Sequence, residues 1–163
     1  MKTDKYIKSI AISLAASASL GIATTAMADT IVVDCMGSGD YETLQEAVDA
    51  AESGDTISVL PCTYFVDSID KNVDIDSKQL HIVSTDGPET TFIEIDETFS
   101  ILVEGTSPQL TLEGFTISQT ILATNSAVNL LAGELTIDTC YFIDNGSSGS
   151  LGGAIYASNF DGL

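Results

Sequence analysis

A strand-like pattern recurs along this sequence at a nearly constant spacing, and this repeat leaves few folds open to the chain. The segment LTLEGFTISQT, which begins at Leu110, aligns with LTIDTCYFIDN, which begins at Leu135. LHI at Leu80 precedes the first of them at an offset of 30, and AVNLL at Ala127 precedes AIYAS at Ala154 at an offset of 27. Strand-containing repeats of this length are typical of solenoids, whose successive turns stack and bury their apolar faces against each other.

We therefore predict an all-β fold, a parallel β-helix in which equivalent strands of neighbouring turns pair through their backbones. No second helical period separates the strand-like runs, which disfavours βαβ units. An antiparallel sandwich is the alternative, because it also contains many short strands. It would favour two-residue hairpins, and the two candidates, Asp86-Gly87 before Pro88 and Asn145-Gly146 in a Ser/Gly loop, fit such hairpins poorly.

One segment, DYETLQEAVDAAESGD, has the period of an amphipathic helix. Four apolar side chains recur at i, i+3, i+4 and i+7: Leu44, Ala47, Val48 and Ala51. This pattern predicts a helix from about Tyr41 to Ser53, with Asp40 as its N-cap and Gly54 at C′. We expect this helix to cover the apolar cross-section of the first turn.

The segment from Met1 to Ala28 is organised as a secretory signal peptide. Three lysines open the chain, an apolar run follows, and Ala26-Met27-Ala28 supplies the small-x-small pattern of a cleavage site. A membrane anchor is the alternative, but the run is shorter than the ~20 apolar residues of a spanning helix. We expect residues 1–28 to be removed and the remaining chain to contain no transmembrane segment. After cleavage, residues 29–55 are expected to form an N-terminal cap with its helix, and residues 56–163 to form β-helix turns.

The mature chain is strongly acidic. Cleavage leaves two lysines and no arginine against 23 acidic residues, a formal charge of −21. Such a surface repels phosphate backbones, so we expect no nucleic-acid partner. A solvated acidic surface is the favoured interpretation. The alternative is divalent-cation binding, for which Asp74 and Asp76, two carboxylates on one strand face, are the candidate calcium ligands, although a dedicated calcium-loop spacing is missing.

Three cysteines enter an oxidising compartment if the chain is exported. A bond between Cys35 and Cys62 would close a loop at the N-terminal end of the mature chain. The spacing alone leaves open whether the two residues are bonded. Cys140 lies in an alternating apolar run and is expected to be a small core residue.

The segment GSGDYETLQEAVDAAESGDTISVLPCTY, Gly37 to Tyr64, resembles the opening of right-handed parallel β-helix proteins of the pectin-lyase-like superfamily. In that superfamily a short helix precedes the first turn, and a V-x-P-G-T-Y strand follows. Cys62 stands where the pattern usually has glycine. The resemblance implies a right-handed solenoid with a short N-terminal amphipathic capping helix.

A second resemblance lies near the end of the chain. Two tetrapeptides, FIDN and GGAI, resemble the F-x-x-N and G-G-A-I motifs of polymorphic outer membrane protein repeats. The motif positions are Phe142, Asn145, Gly152, Gly153, Ala154 and Ile155. Paired glycines permit a sharp bend into a strand, and an asparagine at a corner can hydrogen-bond along the stack. This resemblance implies an outer-membrane-associated or extracellular surface protein of adhesin type.

The opening also resembles pectinesterases, which use paired glutamines, two aspartates and an arginine, and lyases of this fold use an arginine or lysine base, often beside calcium. The chain has no arginine, so neither arginine-dependent site can be assembled within it. Lys71 and Lys78 are expected to be exposed partners of acids, and His81, the one histidine, to point outward from a strand. We expect no catalytic residue and no cofactor.

The chain stops seven residues after Tyr156, just as a turn of the solenoid begins. We therefore expect a longer protein, truncated here at its C-terminus, and the alternative is a short chain that closes its last edge by self-association. The predicted function is a non-catalytic secreted or cell-surface scaffold, of adhesin or autotransporter-passenger type, with a protein or polysaccharide partner. The alternative is the N-terminal part of a polysaccharide-acting enzyme, pectinesterase-like or pectate lyase-like, with its catalytic turns outside this chain.

Overall fold

The computed structural model describes residues 27–67, 72–96, 98–119, 123–146 and 153–158. Most of the predicted signal peptide, Lys71 and the motif residue Gly152 lie outside these ranges. Within them the elements are β1 (Thr30–Val33), α1 (Leu44–Ala50), β2 (Thr56–Val59), β3 (Thr63–Val66), β4 (Val73–Asp76), β5 (Gln79–Ser84), β6 (Phe92–Ile95), β7 (Ile101–Glu104), β8 (Gln109–Glu113), β9 (Thr116–Gln119), β10 (Val128–Leu130), β11 (Glu134–Asp138), β12 (Tyr141–Ile143) and β13 (Ile155–Ala157).

The strands form three parallel sheets that run along a solenoid. Sheet A has the order β1-β2-β5-β8-β11, sheet B has β3-β6-β9-β12, and sheet C has β4-β7-β10-β13. After β1, which belongs to sheet A alone, each turn contributes one strand to each sheet, so β2, β3 and β4 form one turn and β11, β12 and β13 form another. The predicted all-β parallel solenoid with one short helix is confirmed, and the antiparallel sandwich is wrong because every strand pair of the described residues is parallel.

The pairing register follows the offsets of the sequence repeat. Leu110 pairs with Leu135 on one side and with Leu80 on the other, as the repeat predicts. Val128 pairs with Ile155, in agreement with the alignment of AVNLL on AIYAS. A one-residue slip would turn every apolar side chain of a strand to the outside, so burial of one face fixes this register.

Two strand-like runs of the sequence each divide into two strands at a corner. Gly114, with φ +78°, separates β8 from β9, and Thr139, with φ +50°, occupies the corresponding position between β11 and β12. A left-handed backbone conformation turns the chain from sheet A into sheet B at both places. Glycine adopts it without the Cβ penalty that Thr139 carries.

Inward-facing aliphatic side chains fill the solenoid. Along sheet C the ladder Val73, Ile101 and Val128 stacks in register, and each of the three side chains is at most 3% exposed. The interior therefore forms one continuous apolar core whose turns cover each other, which supplies most of the stabilisation of such a fold.

Helix α1 is shorter than the sequence predicts. It begins after the N-cap Thr43, whose Oγ1 accepts a hydrogen bond from the backbone N–H of Glu46 at 3.2 Å, and it ends at Ala50. Asp40 is not the N-cap, because its carboxylate accepts a hydrogen bond from the Val32 backbone N–H at 2.8 Å. Residues 40 and 41 are instead tied to β1 through backbone hydrogen bonds. Gly54 lies in the turn into β2 rather than at C′.

The helix packs against β1 and β4, at the N-terminal end of the solenoid. Lys78 Nζ donates hydrogen bonds to the carbonyls of Val48 at 2.6 Å and Asp49 at 3.0 Å, in the last turn of the helix. The prediction that Lys78 is an exposed partner of acids is therefore wrong. The carbonyls at a helix C-terminus lack intrahelical partners and carry the negative end of the dipole, which attracts this ammonium group.

We expect Lys78→Met to lower the free energy of unfolding by about 1–2 kcal/mol, because the variant leaves the helix carbonyls without their charged donor. Urea denaturation measures this change, and hydrogen exchange of the α1 amides shows whether the helix opens. Lys78→Arg keeps the donors and is the matched control. Equal stability of the Met and Arg variants would contradict the capping role.

The far end of the solenoid is open among the described residues. Strands β11, β12 and β13 are edge strands there, and the inward-facing Leu135, Ile137 and Phe142 are only half-buried. Ile155 occupies the same ladder as the fully buried Val128 but is 41% exposed. Unpaired edges with exposed apolar side chains are available for pairing with another chain.

Candidate functional site

A disulfide joins Cys35 to Cys62, with their Cα atoms 6.4 Å apart. The bond connects the segment after β1 to the corner between β2 and β3, in the part of the solenoid nearest the helix. Cys140 is free and half-buried against the core, next to the backbone of Phe115. Burial raises the pKa of the Cys140 thiol, so the reactive thiolate form is disfavoured.

The outer side of sheet A carries an outer ladder of residues that runs through all its strands: Thr30, Thr56, His81, Thr111 and Thr136. A second outward-facing ladder runs beside it: Val32, Ser58, Val83, Glu113 and Asp138. His81 Nε2 lies 2.9 Å from Glu113 Oε2, and both side chains are 40% exposed. His81 points outward, as predicted. A histidine beside a carboxylate on an exposed face can accept hydrogen bonds from a ligand or donate them to it.

The sequence interpretation missed Glu113 as the partner of His81, although the repeat contains the signal. The alignment of LHI on LTL places His81 opposite Thr111. Glu113 is the next outward-facing position after Thr111 on β8, since side chains alternate along a strand. The pair therefore follows from the register once parallel stacking is accepted.

Asp74 and Asp76 both point outward from β4, beside the helix. The Asp74 backbone N–H donates to Gln45 Oε1 at 2.7 Å, while Asp74 Oδ1 is buried without a hydrogen-bond partner. Asp76 is exposed, and its Oδ1 accepts a hydrogen bond from Ser77 Oγ at 2.8 Å. The described ranges contain no group of three or more His, Cys, Asp or Glu side chains that could hold a metal ion.

The environment of Asp74 disfavours its charged form. Burial is the largest cause that raises the pKa of this carboxyl group, and the charges of Asp76 and Asp49 raise it further. Because the folded-state pKa is raised, the wild-type chain loses stability as the pH rises from the ordinary pKa of an aspartate through the raised value. Protonation at low pH removes the penalty.

We expect Asp74→Asn to raise the melting temperature by about 1–3 °C at pH 7, a small value because the group is partly solvated. The gain should vanish at about pH 3, where Asp74 itself is protonated. Thermal unfolding followed by circular dichroism at both pH values measures it. Glu94→Gln removes the same charge from an exposed position on β6 and is the control. A gain that persists at low pH would contradict the electrostatic cause.

The structure brings the two motif tetrapeptides into contact. Asn145 Nδ2 donates to the carbonyl of Ile117, one turn earlier, at 2.9 Å and to that of Ile143 at 3.1 Å. A Cβ atom at Gly153 would collide with the carbonyl oxygen of Asn145. Phe142 pairs with Ile117 in sheet B, Ala154 precedes β13, and Ile155 is its first residue. The asparagine thus fixes the corner, and a glycine is required where the next strand passes it.

Within the described ranges, no helix combines the length and the apolar character that a membrane crossing requires. Comparison with protein-family models, with curated protein sequences and with solved structures finds no match for this chain.

Proposed function

We propose that this protein is an exported, non-catalytic β-solenoid scaffold whose outer faces form an interaction surface outside the cell or at the cell surface. The observation that supports it best is the division between the two sides of each strand. Inward positions repeat as buried aliphatic residues, whereas the outward positions of sheet A are mostly polar or acidic side chains that stand opposite one another in ladders, with Val32 and Val83 as apolar exceptions. Such a scaffold keeps its fold while its outer residues vary for a partner.

The proposed scaffold is of the polymorphic outer membrane protein type, within the pectin-lyase-like superfamily. The contact between Gly153 and the carbonyl of Asn145 supports this assignment, because it explains why the two tetrapeptides occur together in one turn. The assignment carries with it the expectation of an adhesin-like or autotransporter-passenger role and an outer membrane association.

The partner that we propose is a surface protein or a polysaccharide. The mature charge of −21 opposes binding of polyanions and favours partners that are neutral or basic at the contact. Along the outer ladder of sheet A, Thr56, Thr111 and Thr136 offer hydroxyl groups, and His81 offers an imidazole between the first two.

A second candidate function is that of a polysaccharide-acting enzyme whose remaining catalytic groups come from further turns. The His81–Glu113 contact on the exposed face favours it, because a histidine and a carboxylate within hydrogen-bond distance can serve general acid–base catalysis. This candidate requires a substrate on the outer side of sheet A.

Protease treatment of intact cells that produce the natural full-length protein tests the proposed location. Digestion on intact cells supports a surface scaffold, and retention of the undigested protein inside the cell contradicts it.

A second experiment tests for enzymatic activity by incubating the purified protein with polygalacturonate and with neutral polysaccharides. Release of product by the wild-type chain that is lost in His81→Ala, but kept in Thr111→Ala on the same ladder, would contradict the scaffold function and support the enzyme function.

The open edge predicts self-association of the chain over residues 29–163, because β11, β12 and β13 leave apolar side chains exposed. We expect dimers in sedimentation velocity, favoured at high salt, which screens the acidic charge. Ile155→Lys should shift the chain to monomers by placing a charge in this edge. Phe65→Lys, at a 52% exposed position of sheet B at the other end of the solenoid, should not. A monomeric wild-type chain would contradict the prediction.

A further inference from the structure

The backbone nitrogen of Asp29 lies against a buried carboxylate. Asp29 N donates a hydrogen bond to Asp55 Oδ1 at 2.8 Å, and Asp55 is only 7% exposed. The second oxygen, Asp55 Oδ2, accepts a hydrogen bond from the Glu52 backbone N–H at 2.8 Å. The carbonyl of Asp29 accepts in turn from the Thr56 backbone N–H at 2.9 Å. Asp55 therefore ties the start of β1 to the turn between α1 and β2.

The buried carboxylate of Asp55 lacks a cationic partner within the described ranges, where His81–Glu113 is the ion pair found. Lys78 is bound to the carbonyls at the end of α1. Buried carboxylates are normally paired with a positive charge as well as hydrogen-bonded, because desolvation penalises the charged form. The Asp29 nitrogen, 2.8 Å from Asp55 Oδ1, is therefore a position where a positive charge would meet this carboxylate directly.

The peptide bond between Ala28 and Asp29 lies before the first strand of the solenoid. Met27 is 83% exposed, residues 27–29 belong to no strand, and the ladder of β1 with β2 begins at Thr30. Breaking that bond removes no strand pairing. The cleavage site predicted from the Ala-Met-Ala pattern thus falls directly before the nitrogen that contacts Asp55.

We propose that removal of the leader after Ala28 converts the Asp29 nitrogen into an α-ammonium group that forms an ion pair with Asp55 and locks the first turn of the solenoid. Hydrolysis by a signal peptidase consumes one water, leaves a carboxylate on Ala28 and an amine on Asp29, and the amine takes up a proton. An α-amino group has a pKa of about 7.7–8.0, so it is mostly protonated at pH 7. The inference rests on the proposed export.

The gain in stability comes from the positive charge on the Asp29 nitrogen. The precursor has a neutral amide N–H at Asp29, whereas the processed chain has a charged donor at the same place. A hydrogen bond between an ammonium group and a carboxylate is about twice as strong as one with a neutral donor. Processing therefore increases the stability of the fold without changing a single side chain.

Three purified chains that differ only at the N-terminus test this ion pair. The first begins at Asp29 with a free amine, the second begins at Asp29 with an acetylated amine, and the third begins at Ala28 with a free amine. Acetylation keeps an N–H donor but removes the charge, and the Ala28 chain keeps the charge but moves it by one residue. We expect the unfolding equilibrium constant of the first chain to be roughly fivefold lower than that of the others.

Asp55→Asn in the same three chains completes the test, because the differences between them should collapse when the carboxylate is absent. If this variant does not fold, the comparison of free and acetylated Asp29 chains decides by itself. Equal stability of these two chains overturns the ion pair.

Sequencing of the N-terminus of the natural product tests the cleavage separately. A mature product that begins at a residue other than Asp29 overturns the link to processing, whatever the purified chains show.

Discussion

Replacement of both Cys35 and Cys62 by serine is expected to lower the free energy of unfolding by about 3 kcal/mol. The disulfide closes a loop with a sequence separation of 27 residues, and its loss enlarges the conformational freedom of the unfolded chain. It also releases the segment after β1 from the corner between β2 and β3. The N-terminal turn, which has a neighbouring turn on one side only, should loosen first.

Urea denaturation of the double variant, compared with the wild-type chain with and without reductant, measures this effect. Reduced wild-type chain should match the variant, because both lack the same bond. Cys140→Ser is the control for loss of a thiol, and its stability should respond to reductant as that of the wild-type chain does. A wild-type chain as stable in reductant as without it would contradict the stabilising role of the disulfide.

Phe115→Ala is expected to lower the free energy of unfolding by about 3–5 kcal/mol, the largest effect of any single substitution proposed for this chain. Phe115 is fully buried at the corner between sheets A and B. Its carbonyl accepts a hydrogen bond from the Tyr141 backbone N–H at 2.8 Å. Truncation leaves a cavity between two stacked turns, so both the burial and the packing of neighbouring side chains are lost.

The same truncation at Phe65 is the matched control, because Phe65 is 52% exposed on the outer side of sheet B. Phe65→Ala should change the free energy of unfolding by no more than about 0.5 kcal/mol. Urea denaturation of the two variants separates inward from outward positions with one chemical change. Equal losses would contradict the inside–outside assignment of the solenoid.

The architecture could be predicted from the amino-acid sequence, because the repeat aligns equivalent apolar positions of successive turns, and a one-residue slip from that alignment would expose the apolar face. The pairing of Leu110 with Leu80 and Leu135 could be predicted from the offsets of the sequence repeat. The same holds for the existence of the helix, whose apolar stripe over Leu44, Ala47 and Val48 is buried as its period predicts. The spacing of the repeat contains the strand pairing, and local periodicity contains the helix.

The start of the helix and the side chains that meet across turns depend on the packed fold. Asp40 is a good N-cap by residue type, but the backbone of β1 competes for its carboxylate, and Thr43 takes the cap. Lys78 reaches the helix carbonyls from a distant part of the chain, a contact that no local pattern contains. The pairing of Asp29 N with Asp55 depends on the closure of the first turn. Such contacts arise from competition between partners that are far apart in sequence, and only the tertiary structure settles that competition.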